Sequence, residues 1–112
     1  MAFTPYHNIL GATAQDNELI AVNTLFKLRV SNIQMTNVHT AAATVDLYIF
    51  KDSTDTSAAE TYYFLKDVSI PTKTSLVLDN SDLLRFDNNA DGYSLYITVG
   101  SSDKVDVLIS LS

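Results

Sequence analysis

The stretch "YSLYITVGSSDKVDVLISL", residues 93–111, decides the fold class. Tyr93, Leu95, Ile97 and Val99 alternate with Ser94, Tyr96 and Thr98, and after "GSSD" the apolar Val105, Val107, Ile109 and Leu111 resume the same beat. A period of two sends successive side chains to opposite faces of a pleated strand, so each half reads as a strand with one buried face. The short polar link between them predicts a turn, and the two strands are expected as an antiparallel hairpin.

The same beat runs back through the chain. In "LFKLRVSNIQM", Phe26, Leu28 and Val30 share one face while Ile33 and Met35 fall one step out of phase, so a bulge near Ser31 and Asn32 is expected to keep both sets inward. "ATVDLYIF" alternates Val45, Leu47 and Ile49 against Asp46, Tyr48 and Phe50; "TYYFL" is aromatic on both faces; "SLVLDN" offers Leu76 and Leu78. Turn residues punctuate these runs in "NVHTAA", "KDSTDTSAAE", "IPTKT", "DNSD" and "DNNADG". Pro71 lacks the N–H that a central ladder needs and is expected to end a strand or lie at an edge. The pattern predicts an all-β chain: an antiparallel two-sheet β-sandwich, jelly-roll or Ig-like, of about seven to nine short strands. Residues 19–112 read as that single domain. Residues 1–18 lack sustained alternation and read as an extended N-terminal arm, whose Phe3, Tyr6, Ile9 and Leu10 would dock either on the domain's own surface or on a neighbouring subunit.

Composition removes several function classes. The chain has 112 residues and no cysteine, which excludes a disulfide framework, a thiolate metal site and a cysteine nucleophile. A domain of this length buries enough apolar surface to fold without such staples. Thirteen acidic against seven basic residues give a formal charge of −6. The basic residues are scattered, so the grouped cations that neutralise phosphates are missing and no nucleic-acid partner is expected. No apolar run approaches the ~20 residues that span a bilayer, and "MAFTPYHNILGATAQDNEL" has no basic segment followed by an apolar core. A protein made in the cytosol, with no membrane partner, is expected.

The residues with the look of chemistry are few. Asp87, Asn89, Asp91 and Gly92 have the spacing that opens a calcium loop, where oxygens come from positions one, three and five and glycine turns the chain at six. The closing position is Thr98, which cannot chelate through two oxygens, and a strand follows where a helix would carry the last ligand. The same letters make an ordinary turn, because Asn and Asp tolerate left-handed backbone and bond their own main chain. A turn with no cofactor is therefore favoured over a calcium site at Asp87, Asn89 and Asp91 completed by Asp82 or by another loop. His7 and His39 have no ligand-spaced Asp, Glu or Cys beside them and read as exposed loop residues. No serine sits in a glycine-flanked nucleophile elbow, and the chain reads as no enzyme. The aromatic group Tyr62, Tyr63 and Phe64, with Tyr48 and Phe50, is different: tyrosine buries area while keeping a polar tip, which suits a face that packs on another protein or stacks on sugar rings.

The order of these segments resembles that of small β-sandwich virion proteins of tailed bacteriophages. The shared elements are a Val-x-Leu strand at Thr44 to Leu47, a Tyr-Tyr-x-Leu segment at Tyr62 to Leu65, a Val-x-Ile-Pro turn at Val68 to Pro71, a Leu-rich strand with an Asp-x-Leu step at Leu76 to Leu84, and a closing unit at Tyr93 to Leu111. The resemblance spans residues 22–112. It implies a non-enzymatic structural protein of the virion: a head decoration or cement protein that stabilises the shell through the major capsid protein or other virion proteins, or else a tail or fibre accessory. It also implies a homotrimer or other homo-oligomer and carries no catalytic residues. The contact residues expected on this reading are Phe3, Tyr6, Ile9 and Leu10 in the arm and Tyr62 and Phe64 on the aromatic strand. From a different class, a carbohydrate-binding module would use the tyrosines as sugar platforms and the Asp87 loop for a structural calcium.

Overall fold

The computed structural model describes residues 5–25, 30–53, 58–79, 86–88 and 92–111. Within them the chain forms strands β1 (Tyr6–Leu10), β2 (Asp16–Ile20), β3 (Val30–Asn37), β4 (Ala43–Lys51), β5 (Glu60–Ile70), β6 (Ser75–Leu78), β7 (Ser94–Val99) and β8 (Lys104–Leu111). They make two antiparallel four-stranded sheets, β1-β8-β3-β6 and β2-β7-β4-β5. The chain changes sheet at every connection except that from β4 to β5. Eight strands in this order form a jelly roll, which settles the choice between the two sandwich topologies.

Alternation explains the core. Val45, Leu47 and Ile49 of β4 and Leu95, Ile97 and Val99 of β7 are all buried, facing across the interior Ile33 and Met35 of β3 and Val105, Val107 and Ile109 of β8, which are buried from the other sheet. The expected bulge in β3 is present: Val30 pairs with Leu111 and Asn32 with Ser110, so Ser31 is the extra residue. It lets Val30 and Ile33, three positions apart, both point inward. β5 ends at Ile70, one residue before Pro71.

The expected hairpin of residues 93–111 is not formed. β7 and β8 lie in different sheets, facing each other through the core. Alternation cannot distinguish the two outcomes, because a hairpin and an arch both give each strand one apolar face. Asp103 ties this turn to other connections. Its carboxylate accepts the N–H groups of Gly100 at 3.0 Å and Thr44 at 3.1 Å, while its carbonyl accepts the N–H of Gly11 at 2.9 Å. One residue thereby ties together three of the sheet-crossing connections at that end. Gly11 is buried against this turn, where a Cβ would run into the carbonyl oxygen of Gly100.

The segment read as an arm supplies strands to both sheets. Residues 6–10 pair with β8 of the same chain, and residues 16–20 pair with β7. The physical reason is edge pairing: β8 and β7 each need a second neighbour to satisfy their backbone groups, and short strands of mixed polarity suffice at a sheet edge.

Two buried asparagines hold the ends of the sandwich. At the Asp103 end, Asn37 donates to the carbonyls of Ala41 and Ile70 and accepts from the His39 N–H. At the opposite end, Asn88 accepts from the N–H groups of Thr24 and Leu25 and donates to the carbonyls of Ala21 and Tyr93. Each uses its whole amide on backbone partners, which is the condition for burying one without penalty.

Candidate interaction surface

β4 and β7 carry their aliphatic residues inward, so Asp46, Tyr48 and Phe50, with Tyr96 and Thr98, face out of the second sheet. Register then builds a row across the strands. Glu18 of β2 pairs with Tyr96 of β7, Tyr96 with Tyr48 of β4, and Tyr48 with Tyr63 of β5. The Tyr48 and Tyr96 rings stack, with centroids 5.6 Å apart and planes inclined by 10°, and the Tyr63 ring leans on Tyr48 at 5.2 Å and 46°. Phe50 meets Tyr96 edge-on at 6.1 Å. Aromatic pairs at these separations are mutually attractive, so the rings form a continuous ladder.

Tyr63 stands opposite Tyr48, and not opposite Phe50, because β5 is bulged twice. Its register against β4 slips once between Val45 and Leu47 and again between Leu47 and Tyr48. The first slip accommodates Asp67 in left-handed backbone, φ 53°. Its N–H is taken by the Asp46 carboxylate at 2.6 Å, and the same carboxylate pairs with Lys66 at 3.3 Å. The second slip makes Phe64 the extra residue, so Leu65 pairs opposite inward Leu47 while Tyr63 pairs opposite outward Tyr48. Strict alternation would have put Tyr63 and Leu65 on one face.

The remaining aromatics form a second group at the rim. Tyr62 pairs opposite Ile49 yet is 55% exposed, and its ring lies 6.0 Å from that of Tyr93. The Tyr93 hydroxyl donates to Glu60 at 2.7 Å, and this hydrogen bond, more than desolvation, pushes its pKa up to about 12. Phe64 packs on the core and leans on Phe86 at 6.4 Å.

Carboxylates border the ladder. Asp16 accepts from Thr98 at 2.7 Å, Glu18 lies against Tyr96, and Asp46 holds Lys66. Partial burial, then the nearby Glu18 charge, raises the Tyr96 pKa. The hydrogen bond to Asp46 raises that of Lys66, whose ammonium sits 4.8 Å over the Tyr63 ring.

The residues expected at contacts therefore scatter. Tyr6 is 70% exposed and Leu10 45% exposed on β1, but Ile9 between them is in the core. Tyr62 is exposed and Phe64 half-buried at the rim, and Phe3 lies outside the described residues. Sequence reasoning missed Tyr96, whose position opposite Tyr48 is a matter of register, although its place on the polar beat of β7 was a signal. Of the suspected calcium loop, Asn89, Asp91 and the possible fourth ligand Asp82 lie outside the described residues. The Asp87 carbonyl closes on the Tyr93 N–H at 2.7 Å. The residue that does most there is Asn88, at a position that supplies no calcium ligand. Among the described residues no three His, Asp or Glu side chains are grouped to hold a metal. His7 is a half-buried β1 residue opposite Val107, and His39 is half-buried in the β3–β4 turn, so neither is a fully exposed loop residue.

Comparison with family models and with curated proteins finds no match to this chain.

Proposed function

We propose that this protein is a non-enzymatic structural component of a tailed-phage virion, a decoration or cement protein that joins the head shell through its outer tyrosine face. The observation that carries this reading is the ladder of Tyr96, Tyr48 and Tyr63, a continuous aromatic row laid across strands whose other faces already fill the core. A fold needs only one apolar face per sheet, and rows of large side chains on the outer face serve association. The segment order supports the virion context, and jelly rolls are used in viral shells. Fold alone assigns no function, so the context rests on the sequence resemblance and the contact surface on the ladder.

A second reading is favoured by one observation, the exposure of Tyr62 and Tyr63, which suits a carbohydrate-binding module. Sugars pack on open ring faces, whereas Tyr48 and Tyr96 cover part of each other. The protein-facing reading is therefore preferred. A glycan array with a specific hit would reverse that preference.

The test is co-sedimentation of the purified protein with phage heads that lack it. Saturable binding is expected, and its absence under conditions where the protein is folded would overturn the proposal. Deleting residues 2–12 is not a clean probe, because it removes strand β1 and the core residue Ile9. Native mass spectrometry with added calcium is expected to give a metal-free homo-oligomer. A monomer retaining one calcium would favour the binding module.

A further inference from the structure

The tyrosine row has a strongly one-sided electrostatic setting. Asp16 bonds Thr98 in the neighbouring row, Glu18 and Asp52 act on Tyr96, and Asp46 and Asp67 act on Lys66. These five carboxylates border the ladder together with the Lys66 ammonium, while a second ammonium, that of Lys51, sits 5.9 Å over Tyr93 at the rim. The Lys66 ammonium shows what the surface accepts: it rests over the Tyr63 ring at 4.8 Å while pairing with Asp46 at 3.3 Å. A cation on a tyrosine, completed by a carboxylate, is thus already realised once at the β5 end of the row. At the β2 end, Tyr96 lies beside Glu18 and offers the same pair of chemical groups to a cation from outside the chain.

The geometry points to a partner protein surface that presents arginine side chains to this face, one guanidinium beside Glu18 on the part of the Tyr96 ring that Tyr48 leaves open and another on the exposed Tyr63, with their N–H groups on the bordering carboxylates. Arginine fits better than lysine because its planar, weakly hydrated guanidinium both stacks on an aromatic ring and forks onto a carboxylate. A nucleic acid or an anionic lipid surface is repelled by the same carboxylates. The inference rests on the reading of this face as a contact surface and adds the chemistry of what it contacts.

The test titrates a short arginine peptide, and a lysine peptide of equal length and charge, into the full chain with ¹³C-labelled tyrosine rings. The expected result is movement of the Tyr48, Tyr63 and Tyr96 ring signals and tighter binding of the arginine peptide. Tyr63→Leu, which keeps the apolar bulk and removes the ring, should weaken arginine binding about two- to five-fold and narrow the preference. Glu18→Gln, a surface change that leaves the core intact, should weaken both peptides. Equal affinity of the two peptides with still ring signals, or unchanged arginine binding by Tyr63→Leu, would overturn the inference. Failure here alongside intact head binding would remove the arginine chemistry and leave the virion reading standing; arginine preference without head binding would do the reverse.

Discussion

The inner and outer faces of the β2-β7-β4-β5 sheet are built from the same short strands and follow different rules. Inside, Val45, Leu47, Ile49, Leu95, Ile97 and Val99 are aliphatic and buried, as strands that bury one face require. Outside, one residue away each time, stand Asp46, Tyr48, Phe50, Tyr96 and Thr98. The inner set is explained by folding alone. The outer set is not, since a solvated face is satisfied by Thr, Lys and Glu, and three tyrosines in register there call for another cause. The difference leaves folding to one side of the sheet and, on the proposed function, association to the other.

The largest effect should fall on the inner face. Leu47→Ala removes a fully buried side chain and is expected to lower stability by about 2–5 kcal/mol in urea unfolding. Its neighbour supplies the contrast: Tyr48→Ser should cost only about 1 kcal/mol, mostly from its two ring contacts. Equal losses would mean that the outer row is part of the folding core, and the comparison would break. Between these lies Asn88→Ala, which leaves four backbone groups without their partner and should cost about 3 kcal/mol, with the loss confined to stability.

The smallest effect concerns the rim. Tyr93 holds its proton more tightly in the folded protein, with a pKa near 12 against an ordinary 10. Its contribution is fully present below pH 10 and is lost as pH rises from 10 toward 12, because ionisation removes the hydroxyl proton that Glu60 accepts. Tyr93→Phe should therefore show a shallower loss of stability over that window in pH-dependent melting. An unchanged slope would show that the Tyr93–Glu60 hydrogen bond is not formed in solution.

Much of the inner face was legible in sequence. The out-of-phase step between Val30 and Ile33 could be absorbed only by an extra residue, and Ser31 is that residue. What alternation left open was partnership between strands. The apolar beat of Tyr93 to Leu111 is the same for a hairpin and an arch, and the hydrogen bonds to Asp103 that tie the turn to other connections come from Gly11 and Thr44, far away in sequence. The outer face was legible in kind, as tyrosines that suit contact, but not in membership. Tyr62 and Phe64 share a beat on paper, yet the bulge at Phe64 puts Tyr63 on the ladder instead, and Tyr96 joins it through cross-strand register. The arm was misread because edge strands need little apolar content: β1 holds one core residue, Ile9, among exposed neighbours.

The central claim is that the tyrosine row serves association and not folding. Its most direct test is co-sedimentation of a Tyr48→Ser, Tyr63→Ser double variant with phage heads, with urea unfolding measured on the same preparation. The account predicts a cooperatively folded protein, within about 2 kcal/mol of the native stability, that no longer binds heads. A folded variant that still binds as the native protein does would contradict it.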